Sequence, residues 1–387
     1  MSGEPEQAVV ETQEPSNAEK WRSWILIALL VYALLVAVNV VGNGFGLATA
    51  EGAEALFEFA SNPLVALIIG IVATSAMQSS STATSVIVGM VAGGLPMHIA
   101  IPMIMGANVG TSLTSTLVSL GHIRNNAEFH RAFSAATVHD NFNLMAVAIL
   151  FPLEVLFSPL ERMSRFVVSL LPQNTDVSLL EFSPLKLVLS PTVDAISAAP
   201  TFLPDTAAGV SLIILGIAMI LGVVTGLSKL LKKVMVGKAL ALMQTVVGRG
   251  PLSGVGAGAT ITVMVQSSTT TTCLIVPMAG SGVFTLRQVY PFTLGTNIGT
   301  TITAIIASTA ISGPTAILAM QIAAVHLLFN LLAIAIIYGL PVLREIPIKM
   351  SLMLAGLAQK NKAYVFGYIA GVFFVFPLTA LGITQIF

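Results

Sequence analysis

From residue 59 through residue 123 the chain contains no Asp, Glu, Lys or Arg. A water-soluble domain has about a quarter of its residues charged, so an uncharged run of this length points to a fold built in lipid. The whole chain agrees, with 55% of 387 residues hydrophobic and 9% charged, and a mean hydropathy of +0.92. Backbone amides in hydrocarbon must be satisfied internally, and long apolar runs do this as helices. The reading is an all-α integral membrane protein. Hydropathy places seven crossings at 24–43, 96–120, 129–151, 208–231, 286–308, 314–340 and 364–385.

Residues 1–23 are acidic, contain Pro, Ser and Gln, and lack the basic start and cleavage site of a signal peptide, which predicts a disordered tail. A cytoplasmic tail puts 14 of the 17 Lys and Arg inside and leaves only Arg162, Arg165 and Lys186 outside. The expected protein is therefore multi-pass in the cell (inner or plasma) membrane, with its C-terminus external. Residues 152–207 become an external loop, in which "LFSPLERMSRFVVSLL" predicts a helix lying on the surface. The single cysteine, Cys273, cannot close that loop and reads as a small packing residue. Zero net charge supplies no basic field for a nucleic acid or for collecting an anion.

Inside the charge-free run, residues 63–94 would measure about 48 Å as one helix, too long for a single span and too short for two. Two half-depth arms, Pro63–Met77 and Thr82–Gly94, joined by "QSSS" fit better and predict a re-entrant hairpin. The same pattern returns downstream. "QSSSTATSVIVGMVAGG" from Gln78 is echoed by "QSSTTTTCLIVPMAGSG" from Gln266, a spacing of 188 (266 − 78). "GANVGTS" from Gly106 recurs as "GTNIGTT" from Gly295 (spacing 189), and "VHDNFN" from Val138 as "VHLLFN" from Val325 (spacing 187).

Each copy would hold a crossing, a short connecting helix, a re-entrant hairpin, a broken transmembrane helix and a final crossing. Three crossings is an odd number, so the copies are expected as inverted-topology repeats, a pattern of secondary transporters. The predicted divisions are repeat 1 at 24–151 (hairpin 63–94, broken helix 96–120) and the external loop at 152–207. Repeat 2 follows at 208–340 (hairpin 251–283, broken helix 286–308), then a connector and last crossing at 341–387.

One Ser/Thr cluster in a membrane can simply cap a helix end or allow close packing. Two copies, each followed by a second break, favour a binding site. Helix starts at Thr82, Thr270, Thr111 and Thr300 would aim amides and positive dipole ends at the centre, which suits an oxyanion. Helix ends near Met77 and Val265 present carbonyls, which with Gln, Ser and Thr oxygens suit a hard cation such as sodium. No basic residue accompanies the blocks, so a bound anion would depend on bound cations, and that dependence couples the two. Hydroxyls and amides both donate and accept, so they can read the acidic proton of hydrogen phosphate, which sulfate lacks.

The paired "QSSS" and "QSST" blocks, with "GANVGTSLTS", "GTNIGTTIT" and "TVHDNF", resemble the type II sodium-dependent phosphate cotransporter family from about Ile25 to Phe387. The resemblance implies inward movement of inorganic phosphate with sodium, by an elevator-like motion of the hairpins against a scaffold. It implies phosphate contacts at Gln78, Ser79, Ser80, Ser81, Ser268 and Thr269, with Asn108 and Asn297 approaching from the breaks. It implies a sodium site at Gln266, Ser267, Thr296, Thr300 and Thr303, and a pseudo-symmetric one at Ser79, Asn108 and Thr111. Sodium is the coupling ion and no organic cofactor is implied. Gly94 stands where electrogenic animal members carry Asp, so electroneutral transport is expected. The disulfide those members have in the large loop has no counterpart here.

Asp140, beside His139, is the one carboxylate inside a predicted crossing; it is read either as a structural tie or as a pH sensor. A sodium-coupled carrier of a dicarboxylate or sulfate is the nearest alternative function, and an anion channel a further one. An enzyme is not expected, since no Gly-x-Ser-x-Gly elbow is present. Oligomeric state stays open, a dimer being one option.

Overall fold

The computed structural model describes residues 17–49, 62–170, 184–200 and 202–384, and every regular element among them is helical. Of the tail expected over 1–23, residues 1–16 lie outside the described residues, as do the connecting helix ahead of the first hairpin and the loop stretch 171–183. Residues 17–23 are not a disordered tail but the start of a helix that continues into the first crossing. Five helical spans, Trp21–Thr49, Asn126–Phe157, Asp205–Val246, Ala316–Tyr338 and Ala363–Ala380, are long and apolar enough to cross a bilayer. The two other expected crossings fall outside that set because one is interrupted and the other is rich in threonine.

Helix α1 (Asn17–Thr49) is followed by a pair of short helices, α2 (Pro63–Met77) and α3 (Ser80–Ala92). Next come α4 (Met97–Gly110), α5 (Leu113–Ser119) and the long α6 (Asn126–Phe157). The predicted surface helix is α7 (Pro159–Ser169), and α8 (Pro184–Ala198) completes the loop region. The Glu154 carboxylate caps α7 by accepting from the amides of Leu160 (2.7 Å) and Glu161 (3.1 Å).

The second copy begins with α9 (Asp205–Val246), and the second pair of short helices is α10 (Pro251–Val265) and α11 (Ser268–Gly280). Then follow α12 (Leu286–Thr309), α13 (Ala316–Ala333, running into a π-turn at Ile334–Tyr338) and α14 (Pro341–Lys360). The last segment is α15 (Ala363–Ala370), a π-turn and α16 (Phe376–Thr384). In this copy no separate connecting helix precedes the short pair: α9 continues unbroken for 42 residues, about 63 Å and twice a hydrocarbon core.

The two copies repeat their local backbone. Gln78 sits in the left-handed region (φ 49°, ψ 30°) and Gln266 matches it (φ 52°, ψ 35°). For a residue with a Cβ this costs about 1–2 kcal/mol, so its occurrence at both repeat positions marks a built feature. Extended serines follow, Ser79 and Ser267, each capping the next helix. Packing repeats too. A Cβ on Gly106 of α4 would fall inside the carbonyl oxygen of Leu67 on α2, and one on Gly295 of α12 inside that of Val255 on α10. Close approach of this kind replaces the hydrophobic drive that lipid removes. Helices α1 and α9 run antiparallel through a similar seam, with Gly44 against Gly209 and Leu30 beside Gly226.

One expected break is absent. The first Gly-x-Asn-x-Gly-Thr stretch interrupts the helix at Thr111–Ser112, but the second stays helical from Leu286 through Thr309. In α12 the hydroxyls of Thr296, Thr300 and Thr301 donate to their own helix, at Thr293 O (2.7 Å), Thr296 O (2.9 Å) and Ile298 O (2.7 Å). At the first break hydroxyls bond one turn back in the same way, Ser115 (2.8 Å) and Thr116 (3.4 Å) to the Ser112 carbonyl and Ser112 Oγ to Val109 O (3.0 Å), but there the backbone bonds are long, 3.5 Å from Ser112 N to Val109 O and 3.4 Å from Thr116 N to Ser112 O.

Candidate functional site

The two Gln-Ser-Ser breaks meet in space. A cavity of about 260 Å³ is lined by Gln78, Ser79, Ser80 and Ser81 from the first and by Gln266, Ser267, Ser268, Thr269 and Thr270 from the second. Thr303 of α12 ties them together: its hydroxyl lies 3.0 Å from Gln266 Oε1 and 3.4 Å from Ser81 Oγ. Helix α9 forms the remaining wall with Val224, Thr225, Ser228, Lys229 and Lys232, and Ser228 Oγ donates to the Gln266 carbonyl at 3.1 Å.

The helix starts at this cavity are only partly capped. Ser79 Oγ accepts from the Thr82 amide (3.2 Å) and Ser79 O from the Ala83 amide (3.1 Å). Ser267 repeats this with Thr270 and Thr271, both at 3.1 Å. Of the first-turn donors that a helix leaves free, the amides of Ser80, Ser81, Ser268 and Thr269 remain. Two positive helix ends thus face one small volume, an arrangement that binds an oxyanion. The carbonyl ends of α2 and α10 adjoin the same place, with hydroxyl and amide oxygens suited to a hard cation.

Of the predicted solute contacts, Gln78, Ser79, Ser80, Ser81, Gln266, Ser267, Ser268 and Thr269 face the cavity, which Met77, Thr270 and the α9 residues also line. Asn108, Asn297, Thr111, Thr296, Thr300 and Thr303 do not line the cavity, Thr303 lying behind Gln266 and Ser81. Thr111 donates to Ala107 O at 3.0 Å within its own helix. Asn108 Nδ2 donates to Asn330 Oδ1 (2.7 Å), and Asn297 Nδ2 to Asn143 Oδ1 (2.8 Å). His139 donates from Nε2 to Asn297 Oδ1 (2.7 Å), since an amide oxygen can only accept. Asp140 accepts from Thr116 (2.8 Å) and from Tyr368 of α15 (3.1 Å) through one oxygen, away from the cavity. Cys273 is half-buried on α11.

Sequence reasoning missed the α9 wall because those residues belong to no repeated block. Their spacing of three and four (Thr225, Ser228, Lys229, Lys232) was the available signal, a polar face on an otherwise apolar helix. Thr114, the counterpart of Thr303 at the repeat spacing of 189 (303 − 114), does not line the cavity; it is half-buried, with its hydroxyl oxygen enclosed and unpaired.

Duplicated helix breaks converging on a polar cavity, within a helical scaffold of membrane-spanning length, define a multi-pass membrane protein of the transporter class. The chain matches the family described as Na+/Pi-cotransporter over residues 33–170 and 212–361, and it belongs to that family. That family is one of transporters and not of enzymes. The chain is similar to sodium-dependent phosphate transport protein 2B of Homo sapiens, at 31% identity over 93% of this chain and 65% of the relative. It is also similar to sodium-dependent phosphate transport protein 2A of Rattus norvegicus (32%, 92% and 66%) and of Mus musculus (33%, 93% and 67%). The chain thus spans just under two thirds of the length of the human protein. No solved structure matches it.

Proposed function

We propose that this chain imports inorganic phosphate, as hydrogen phosphate, together with sodium by alternating access. The observation that carries the reading is the meeting of the two Gln-Ser-Ser breaks in one cavity, bridged by Thr303. The family match and the relatives' names support phosphate and sodium as its solutes. Phosphate would take the amides and hydroxyls of Ser80, Ser81, Ser268 and Thr269, with Gln78 and Ser79 at the rim. Sodium would take oxygens of Gln266, Ser267 and Thr303, with Thr296 and Thr300 behind them. The pseudo-symmetric sodium would use Ser79, Asn108 and Thr111, to which Thr114, the counterpart of Thr303, could add an oxygen. Asn108 and Asn297 hold the break segments in place in the arrangement described, approaching the solute only if their pairing changes.

In this reading α2–α3 and α10–α11 are re-entrant hairpins in inverted repeats, and the cavity opens toward the cytoplasm, the side of Lys229 and Lys232. A second cavity, of about 550 Å³, lies at the opposite end of the α1–α9 pair between Asn39, Asn43, Gly93, Ser197 and Ser312. Because α3 reaches from one cavity to the other, a shift of the hairpins could exchange access between them. Two sodium ions per hydrogen phosphate would make the cycle electroneutral. Gly94 fits that reading, though its φ of 110°, matched by 87° at Gly282, also gives it a turn-forming role.

Radiolabelled phosphate uptake into proteoliposomes tests the proposal. Uptake should follow an inward sodium but not potassium gradient, and arsenate should compete better than sulfate or succinate. Stronger competition by succinate would move the substrate to dicarboxylates. A sodium-dependent phosphate current in planar membranes would overturn electroneutrality.

A further inference from the structure

The cavity has a graded lining. Its floor is neutral, with Ser80, Ser81 and Ser268 buried, while Lys229 and Lys232 are exposed at its edge. The two lysines share one face of α9 with Thr225 and Ser228, three and four positions apart, and all four line the cavity. The next residue, Lys233, does not line it, so the pair is more than the basic collar of a helix end.

The chain as a whole carries no net charge, so an oxyanion feels no global attraction toward it. A local pair of ammonium groups on low-dielectric walls acts differently. It focuses the field and raises local anion concentration and on-rates by about 10-fold or more, an effect that salt screens. Lysine suits this task because it is a mobile, strongly hydrated point charge without the fixed bidentate fork of arginine. An ammonium at the floor would hold a dianion without sodium and weaken the coupling; at the rim it attracts the anion and leaves the floor dependent on cations.

We propose that Lys229 and Lys232 form a cationic antechamber that collects phosphate oxyanion at this mouth of the cavity and sets its exchange with solution on that side. The inference rests on the phosphate reading above and adds two residues to it. It assigns them to capture rather than to the site in which coupled binding occurs.

The test is a kinetic comparison in proteoliposomes, with phosphate presented separately at each face. At low ionic strength, K229Q/K232Q should raise the phosphate KM about tenfold at the lysine-lined face. It should leave the opposite face, the sodium KM and Vmax near wild type. The difference should vanish at about 1 M salt, where the Debye length is about 3 Å, and K229R/K232R should restore the wild-type KM. An unchanged KM overturns the inference, as does a loss of Vmax alone or a rise that salt does not abolish. Wild-type protein that transports phosphate while the variants keep its KM defeats this inference alone. Wild-type protein without sodium-dependent phosphate uptake defeats it together with the function.

Discussion

The side-chain amide of Asn108 donates to Asn330 across 2.7 Å, and that of Asn297 to Asn143 across 2.8 Å. Asn108 and Asn297 are counterparts at a spacing of 189, Asn143 and Asn330 at 187, so each copy's break motif is pinned by the other copy's last crossing. All four are buried. The amide of Asn143 continues the chain to the Asn108 carbonyl (3.0 Å), and that of Asn330 to the His326 carbonyl (2.9 Å).

Removing one partner should therefore cost more than removing both. Asn330→Ala leaves the Asn108 amide buried and unpaired, which should lower stability by about 1–3 kcal/mol. Asn108→Leu with Asn330→Leu should fall short of the sum of the single effects in thermal unfolding of the detergent-solubilised protein. Additive losses would show that the pair carries no coupling energy.

Gly106→Ala and Gly295→Ala should each destabilise by about 1–3 kcal/mol or more, because the new methyl meets a backbone carbonyl that cannot turn aside. Gly121→Ala, with nothing within 4 Å of its Cβ position, is the control and should lie near wild type. Denaturant unfolding separates these cases.

Thr303→Val removes the hydroxyl that joins Gln266 to Ser81 while keeping the side chain's volume. On the sodium assignment above, it should raise the sodium KM on the order of tenfold, a loss of about 1.4 kcal/mol of binding. The phosphate KM measured at saturating sodium should change much less. Equal shifts in both would place Thr303 outside the sodium shell.

Asp140 joins α6 to α5 through Thr116 and to α15 through Tyr368. The expectation is a structural tie: Tyr368→Phe should speed hydrogen exchange in α15, and Asp140→Asn should lower stability without altering the pH profile of uptake. A displaced pH optimum in Asp140→Asn would restore the sensor reading.

Arg287 and Glu345 form a bidentate pair, both bonds 2.7 Å long, joining α12 to α14. The hydrogen bond from Arg287 holds the Glu345 carboxyl below its ordinary 4.5. A depressed folded-state pKa means the contribution is present above 4.5 and disappears as pH falls through the lower folded value. The pair is exposed, so the effect is small. The Tm difference between wild type and Arg287→Gln should be constant near neutrality and close below pH 4.

Much of this protein could be read from the chain alone. The charge-free run and the three ordered blocks led to an all-helical membrane fold, to breaks at Gln78 and Gln266, and to the serines and threonines around them. These follow from short-range rules: lipid demands internal hydrogen bonding, and a helix of fixed rise cannot fit 32 residues (63–94) into one span. Repetition at one spacing also marked which residues correspond, because equivalence is a property of order along the chain.

What the tertiary structure decided is which polar groups face the cavity and which are used elsewhere. Asn108 and Asn297, expected as solute contacts, are paired with Asn330 and Asn143, and the second Gly-x-Asn-x-Gly-Thr stretch stays helical from Leu286 through Thr309. Lys229 and Lys232 sit 37 and 34 residues before Gln266 and in no repeated motif, yet they stand at the cavity mouth. Sequence determines the periodicity and chemistry of each helix. The partner of a buried amide depends on how helices far apart in the chain are rotated against one another, and only the packed structure settles that rotation.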